Sequence, residues 1–249
     1  RLRRVVAPVS PVLEMTEIQT RLLAEQGPAV LFENVVDANG RRYDFPVLTN
    51  LFGTVERAAW GMGQTPDTLR ALGETLAFLR QPEPPGGWRD AIEMLPLLKT
   101  AMAMKPKTVS RAPCQEIVWR GDEIDLARLP IQTCWPDEPA PLITWPLVVT
   151  RDSTASGDDG GYNLGIYRMQ VTGRDTTLMR WLAHRGGAQH FAAHRGRSDE
   201  PLPVACVIGA DPATMLAAVA PVPESMSEYQ FAGLLAGERV AVTDCLTVP

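Results

Sequence analysis

The sequence predicts an α+β protein in two successive parts, a helix-rich part over residues 1–112 and a sheet-rich part over residues 113–249. Amphipathic helical patterns with cap residues dominate the first part. Short apolar runs separated by Gly, Asp and Pro turns dominate the second part and are typical of an antiparallel sheet or barrel. The chain has 249 residues, of which 45% are hydrophobic, so it can bury a sizeable core.

The first part opens on a helix predicted over residues 13–26. Leucine and isoleucine side chains recur there on one helical face, and Gly27 ends the pattern. Residues 28–32 and 46–48 then form short apolar runs on either side of a polar turn. These runs predict two short buried strands around that turn.

A second helix is predicted from Thr65-Pro66-Asp67, where a cap residue, an N1 proline and a first-turn acid follow one another. Its apolar face continues to Leu79. Residues 81–87 hold three prolines and two glycines, so they predict a linker before another helix over residues 88–104. After this helix the sequence changes from helical patterns to short apolar runs, which predicts the boundary near residue 112.

The second part is predicted to consist mainly of strands. Helices interrupt it twice, one capped by Asp211-Pro212 and one starting at Ser227. The apolar runs that predict strands are residues 117–119, 142–145, 147–149, 164–171, 176–182, 203–208 and 239–243.

Charge and hydropathy exclude several classes of function. The net charge is −5 and the pI is about 5.3, which argues against nucleic acid as a partner. The longest apolar stretch, residues 141–150, is too short to cross a membrane and holds two prolines. Four widely spaced cysteines predict reduced thiols rather than a disulfide framework. Together these features predict a cytoplasmic protein, with at most peripheral contact at the inner face of the cell membrane.

Three side chains are candidate ligands of a divalent metal ion, namely Asn163, His184 and Glu228. An amide oxygen, an imidazole and a carboxylate form a hard donor set that suits such an ion beside a phosphate. Each also has an ordinary interpretation: a turn asparagine, a surface histidine and a helix-start carboxylate. The other two histidines, His190 and His194, are expected at the surface.

Arginines and glycines near these residues are candidates for anion binding. Arg180, Arg185 and the pair Gly186-Gly187 predict a phosphate-facing turn, because glycine lets backbone N–H groups approach an anion. Arg168 falls within an apolar predicted strand, so it is expected to be buried beside an anionic partner. The alternative for Arg168 is a solvated charge on an edge strand.

Long motifs in order along the chain resemble the UbiD family of decarboxylases. They cover nearly all of the sequence, which makes the resemblance specific. The motifs are Leu31–Asn34, Asn50–Thr54, Trp60–Gln64, Ala112–Gln115, Pro130–Pro136, Pro141–Trp145, Asn163–Arg168, Met179–Gly187, Gly209–Thr214 and Ser227–Gly233.

The resemblance implies prenylated FMN as cofactor, held with Mn²⁺ or a similar divalent cation and with a monovalent cation such as K⁺. It implies that Asn163, His184 and Glu228 ligate the divalent ion, and that Arg168 belongs to the catalytic network that handles the substrate carboxylate. The residues implied to contact the flavin are Ile166, Tyr167, Arg168, Arg180, Trp181, Leu182, Arg185, Gly186 and Pro221. The implied fold is an N-terminal α/β domain over residues 1–112 followed by a flavin-binding split β-barrel over residues 113–249.

The chain is expected to be cut at both ends, because it has no initiator Met and stops within a predicted strand. By the resemblance, the barrel domain is incomplete and the family's C-terminal domain is absent. The acids that donate the proton are expected beyond Pro249.

The activity that the resemblance implies is non-oxidative decarboxylation of 4-hydroxy-3-polyprenylbenzoate to 2-polyprenylphenol in ubiquinone biosynthesis. The implied assembly is a homo-oligomer, with a hexamer as one form. Two alternatives stay open. One is a decarboxylase of another aromatic or α,β-unsaturated acid, and the other is a flavin-binding module that lacks activity of its own.

Overall fold

A computed structural model describes residues 2–80, 104–152, 154, 161–222 and 226–248. The described residues form two compact units. Unit 1 comprises those within residues 1–58, 117–145 and 168–180, and unit 2 comprises those within 59–116, 146–167 and 181–249. Each unit therefore draws on both sides of residue 112. The boundary predicted there stays a prediction about domains along the sequence.

The first sheet of unit 1 packs against one helix. Strand β1 (Leu2–Val5) runs parallel to β2 (Ala29–Phe32), which pairs antiparallel with β3 (Val47–Thr49). Helix α1 (Glu14–Ala24) buries Met15 in a core with apolar residues of β2 and its flanking loops. Strand β2, which the short apolar run predicted, is thus the central strand of this sheet. The core residues are Val9, Met15, Val30, Phe32 and Val35.

A second sheet of unit 1 is a three-stranded antiparallel arrangement. Its strands are β5 (Leu142–Ile143), β8 (Met169–Val171) and β9 (Thr177–Met179), in that order. The turn between β8 and β9 is closed by a backbone hydrogen bond of 3.0 Å from the Thr172 N–H to the Thr176 carbonyl.

The main sheet of unit 2 positions the candidate site. Its order is β10 (Ala205–Ile208), β6 (Pro146–Arg151) and β7 (Tyr162–Ile166), all antiparallel. Helix α4 (Gly186–Arg195) and helix α6 (Glu228–Ala236) both pack against β7. The sheet therefore meets the first residues of two helices along one strand.

Helical packing completes unit 2. Helix α5 (Pro212–Ala217) packs on α6 around the fully buried Ala217 and Phe231. The Ser227 side chain accepts a hydrogen bond from the Gln230 N–H while the Gln230 side chain accepts one from the Ser227 N–H, so a capping box starts α6. Gly237, at φ 72°, ends it in the left-handed conformation that favours glycine.

The remaining helices are α2 (Val55–Gly61) and α3 (Leu69–Arg80). A short parallel pair joins two distant segments of unit 2, with β4 (Lys107–Thr108) beside β11 (Ala241–Val242). The Arg239 guanidinium strengthens this junction by donating to the Lys105 carbonyl at 2.6 Å and to the Pro106 carbonyl at 3.0 Å.

The structure confirms most of the predicted elements and corrects three. Residues 164–171 are not one strand, because β7 ends at Ile166 and β8 begins at Met169 in a different sheet. Residues 117–119 were predicted as a strand but pair with no described strand, and Ile117 is 78% exposed. The pair Gly186-Gly187 was predicted as a turn and instead opens α4.

Some elements were not predicted from the sequence, and some predicted segments lie outside the residues that the structure describes. Strands β1 and β4 and helices α2 and α4 were not predicted. The helix predicted over residues 88–104 and the linker over 81–87 lie almost wholly outside the described residues. The mixture of helices and sheets fits the α+β class, while the described strands form open sheets without a closed barrel. Within the described parts of the chain, no helix is long and apolar enough to cross a membrane.

Candidate functional site

The hydroxyl of Tyr167 organises the centre of the candidate site in unit 2. This buried side chain follows β7 directly. Its oxygen accepts a hydrogen bond of 3.1 Å from the Gly187 N–H and a long one of 3.5 Å from Nδ2 of Asn163. The end of β7 is thereby fastened to the first turn of α4.

Gly186 is the point of closest approach between α4 and β7. A Cβ atom on Gly186 would lie 1.9 Å from Oδ1 of Asn163, which no real Cβ tolerates. A Cβ on Gly187 would lie 3.2 Å from the rings of both Trp181 and Tyr167. At position 186 glycine is therefore required for close packing against the Asn163 side chain. The anion approach that the sequence suggested for this pair stays a prediction.

The Gly186→Ala substitution should push α4 away from β7. We expect it to destabilise the chain by about 1–3 kcal/mol, the usual cost of overpacking, and to weaken binding of the flavin that the resemblance implies. Fluorescence titration with FMN and thermal denaturation measure the two effects. Gly196→Ala is the matched control at the end of the same helix, because its added Cβ would find its nearest neighbour at an ordinary 3.5 Å. Equal FMN affinity in the two variants would contradict the steric role of Gly186.

An aromatic row extends from Tyr167 across the start of α4. Trp181 makes edge-to-face contacts with Tyr167, at 5.9 Å between ring centroids, and with Phe191, at 5.8 Å. Nε1 of Trp181 is buried and finds no hydrogen-bond acceptor among the described residues. Such a donor carries a desolvation penalty that an acceptor oxygen of a bound group would relieve.

Glu228, the first residue of α6, brings a carboxylate to the same strand. Burial raises its pKa, while the backbone N–H groups of Glu228 itself and of Leu164 act in the opposite direction. Leu164 follows Asn163 on β7, so the amide and the carboxylate approach neighbouring positions of one strand. None of the ion pairs between described residues involves Glu228. A partly buried carboxylate without an ion-pair partner favours a nearby cation.

His190 is a site residue that the sequence did not indicate. It was expected at the surface, but its Nδ1 shares a hydrogen bond of 2.9 Å with Oγ1 of Thr150, and its ring is partly buried. Burial lowers the pKa of His190 from the ordinary value of 6.5, and the Asp152 carboxylate opposes that shift. The only available signal was its spacing of four residues from Gly186, which has meaning only once α4 is known to begin there.

The lowered pKa of His190 predicts a loss of stability in acid. The unfolded chain binds a proton at this position more readily than the folded chain does. The contribution of His190 to the free energy of unfolding is therefore present above the ordinary pKa of 6.5. It is lost as the pH falls through the lower pKa of the folded chain. Denaturation of the wild type and of His190→Asn across this range measures the effect, and we expect the variant to lose less stability. Parallel curves for the two proteins would contradict the prediction.

The structure brings together only part of the predicted site. Asn163, Tyr167, Trp181 and Gly186 contact one another or pack through shared neighbours, and Glu228 joins them at Leu164. Ile166 is the last residue of β7 and is partly buried. The side chains of Leu182, His184, Arg185 and Pro221 are exposed, and among the described residues none of them makes a hydrogen bond or ion pair to this group.

The two remaining arginines belong to unit 1. Arg168 and Arg180 are both exposed, so the expectation of a buried strand arginine at position 168 is wrong. The physical reason is the break between β7 and β8, which places Arg168 outside either strand. Within unit 1 its guanidinium lowers the pKa of the Cys134 thiol, against the larger effect of burial, which raises it. The described residues contain no cluster of three His, Cys, Asp or Glu side chains that could hold a metal ion.

Solved structures of similar fold come from enzymes about twice as long as this chain. The UbiD-class enzyme HmfF from Pelotomaculum thermopropionicum in complex with FMN is 29% identical, with a TM-score of 0.75 over 99% of this chain and 48% of its own. An evolved dimeric form of HmfF in complex with prFMN is 28% identical, with a TM-score of 0.74 over 99% and 50%. Vanillic acid decarboxylase from Sedimentibacter hydroxybenzoicus, in its closed form, is 25% identical, with a TM-score of 0.77 over 99% and 48%.

Two family models match the sequence itself. The 3-octaprenyl-4-hydroxybenzoate carboxy-lyase N-terminal domain matches residues 1–76, and the Rift-related domain of the same carboxy-lyases matches residues 107–249. The second match covers more than half of the chain and includes the whole of the candidate site. The expectations of an α+β fold and of a family of decarboxylating enzymes are thereby confirmed. The chain belongs to the UbiD family of carboxy-lyases.

Proposed function

We propose that this protein decarboxylates 4-hydroxy-3-polyprenylbenzoate to 2-polyprenylphenol, without net oxidation, in ubiquinone biosynthesis. The description of the matching family models as 3-octaprenyl-4-hydroxybenzoate carboxy-lyase domains supports this substrate. The chain spans about half the length of the similar structures. The proposal therefore concerns the activity to which this chain contributes the cofactor site.

One observation carries the cofactor assignment: the junction of β7 with the starts of α4 and α6. There the Asn163 amide packs against Gly186, and the partly buried Glu228 carboxylate lies at Leu164. A phosphate needs N–H donors and positive charge, and a carboxylate beside it needs a bridging cation. The donor set of this junction therefore fits a phosphorylated flavin held through a divalent ion.

The proposed cofactors are prenylated FMN, Mn²⁺ or a similar divalent cation, and K⁺. Asn163, His184 and Glu228 would ligate the divalent ion. The buried Nε1 of Trp181 would donate to an oxygen of the flavin, which removes its desolvation penalty. The residues proposed to line the flavin are Ile166, Tyr167, Arg168, Arg180, Trp181, Leu182, Arg185, Gly186 and Pro221.

The chemistry divides between the cofactor and the protein. Prenylated FMN would supply an acceptor for the electron pair that stays on carbon when the substrate carboxylate leaves as CO₂, which side chains alone stabilise poorly. Arg168 would bind and orient the substrate carboxylate, since a guanidinium matches its two oxygens with paired N–H donors. Its exposed position leaves it available to a ligand. The aromatic row of Tyr167, Trp181 and Phe191 would keep water from one wall of the flavin site.

A second substrate class has a specific observation in its favour. One structure of similar fold, at 25% identity, is a vanillic acid decarboxylase, so a close fold relative acts on an aromatic acid without a prenyl tail. The alternative for this protein is therefore decarboxylation of an unprenylated aromatic acid. The proposed site is compatible with both, because Arg168 and the flavin would act on the carboxylate and not on the tail.

Co-expression with a flavin prenyltransferase tests the proposal. The purified protein should show bound flavin with the mass of prenylated FMN and about one divalent ion per chain. The holoenzyme is then offered 4-hydroxybenzoate with and without a 3-prenyl group, and CO₂ release is measured. Preference for the prenylated acid supports the first substrate, and preference for the unprenylated acid supports the second. Protein without flavin or metal would overturn the cofactor assignment.

Assembly and location complete the proposal. The holoenzyme is proposed to form a homo-oligomer, with a hexamer as one form, and to contact the inner face of the cell membrane peripherally, where its prenylated substrate partitions. Light scattering of the purified holoenzyme measures the first. Flotation with anionic and neutral vesicles measures the second.

A further inference from the structure

The hydrogen bond between His190 and Thr150 lies about one helical turn after the start of α4 and is shielded from water on the Thr150 side. Thr150 is 1% exposed, and the distance between its Oγ1 and Nδ1 of His190 is 2.9 Å. Water cannot readily replace a bond at such a position, so breaking it leaves a buried hydroxyl without a partner.

Thr150 lies on the face of the sheet that carries Asn163. The two residues are direct partners in the antiparallel pairing of β6 and β7. Opposite residues of an antiparallel pair present their side chains to the same face, with Cβ atoms about 4.5–5.5 Å apart. His190 therefore anchors α4 beside the point where Gly186 packs against the Asn163 amide.

The start of α4 thus has two attachments, one to the sheet at Thr150 and one to Tyr167 directly after β7, spaced by about one helical turn. The Gly187 N–H donates to the Tyr167 hydroxyl at 3.1 Å, and His190 bonds Thr150. One attachment alone leaves the helix free to rotate about it, whereas two fix both its position and its rotation. The rotation of α4 decides whether Gly186 faces Asn163.

On these grounds, and resting on the proposed function, we infer that His190 is a positioning residue for the flavin and metal site. Through Thr150 it holds the first turn of α4 in the rotation that packs Gly186 on the Asn163 amide. It contacts neither flavin nor ion in this role. Removing a residue that orients a ligand typically costs 10–100-fold in metal affinity, so its loss should be measurable without any assay of catalysis.

The experiment uses this chain in two states. In the ligand-free state, hydrogen exchange of the Gly187 amide reports the attachment of α4, and the Phe231 amide in α6 serves as internal reference. In the second state, FMN is titrated in the presence of MnCl₂. The variants are His190→Leu and Thr150→Val, which remove the same bond from either side, and the double variant.

We expect each single variant to speed exchange at Gly187 and to weaken FMN binding by about tenfold or more. Exchange at Phe231 should stay unchanged. The double variant should cost no more than either single one, because both remove the same bond. His190→Asn should restore most of the affinity, since its side-chain amide reaches the position of Nδ1.

His194→Leu is the matched control on the same helix. Its Nε2 lies 2.8 Å from the Glu200 carbonyl, so the variant also breaks one hydrogen bond of an α4 histidine, but away from Asn163. Unchanged Gly187 exchange in His190→Leu and Thr150→Val would overturn the inference, and so would an equal effect of His194→Leu. If His190→Leu does not fold, Thr150→Val decides alone. A wild-type chain that binds neither FMN nor Mn²⁺ contradicts the proposed function, while the exchange data still decide the role of His190.

Discussion

The Glu228→Gln variant should purify without its divalent ion and with little of its flavin. The flavin phosphate is dianionic, and a carboxylate beside it is tolerable only with a cation between them. Asn163 and His184 are neutral ligands, so Glu228 supplies the only negative charge of the proposed protein ligand set. We expect metal affinity to fall by more than about 100-fold, beyond the 10–100-fold cost of losing an outer-shell partner. Metal analysis and flavin absorbance of the purified protein measure the result.

The stability of the metal-free protein separates this role from a purely structural one. Burial raises the pKa of Glu228, so its contribution to stability is present below the ordinary value of 4.5 and is lost as the pH rises through the folded value. Above the folded value the ionised side chain is therefore a cost in the absence of a cation. Glu228→Gln should leave the melting temperature of the metal-free chain unchanged or raise it.

Glu238→Gln is the control for the Glu228 variant, because Glu238 is an exposed carboxylate just after the same helix. It should keep both metal and flavin. Full manganese occupancy in Glu228→Gln, or a lowered melting temperature without metal, would show that Glu228 only supports the start of α6.

In the longer protein that the resemblance implies, with the proton-donating acids expected beyond Pro249, the Arg168→Ala variant should lose decarboxylation while keeping much of its cofactor. Arg168 is one of several proposed flavin contacts but the only proposed anchor of the substrate carboxylate. Removing one electrostatic contact to a transition state costs about 2.7–4 kcal/mol, or roughly a hundred- to thousandfold in rate. The side chain is exposed, so the fold should lose little. Rates of CO₂ release by the holoenzyme at saturating substrate, with flavin content measured in parallel, test the prediction.

Two further variants sharpen the test of Arg168. Arg168→Lys keeps the charge but not the paired donors, so it should recover only part of the rate. Arg174→Ala removes another exposed arginine of unit 1 and should leave the rate unchanged. Near-normal rates in Arg168→Ala would assign the carboxylate to another residue.

Local sequence signals predicted the elements whose boundaries depend on neighbouring residues. The Asp211 cap, the Ser227 cap and the apolar run of β2 act within a few positions, and the structure has them where they were predicted. The break between β7 and β8 has a different origin. The apolar run continues through it, but the chain passes there from one unit to the other. Which sheet each half joins depends on partner strands far along the sequence.

The candidate site shows the same division between local and distant causes. Single residue types suggested Asn163, Glu228 and the pair Gly186-Gly187, and β7 with its two helices brings these together. The steric need for glycine at 186 was not predictable from the sequence, because the side chain that would clash with a Cβ there, Asn163, belongs to another element, β7. His190 was missed for a similar reason, because its partner Thr150 is 40 positions away.

The parallel pair of β4 and β11 sets the order in which the chain can fold during its synthesis. Arg239 and its acceptor Lys105 are separated by 134 positions, and closing so long a loop costs conformational entropy until both ends exist. Unit 1 uses no residue beyond position 180, so it can form while unit 2 is still incomplete on the ribosome. A nascent chain that ends before α6 therefore carries Asn163 and Gly186 but lacks Glu228. By the proposed ligand set, such a chain would lack one of the three metal ligands, so metal binding would follow the synthesis of α6.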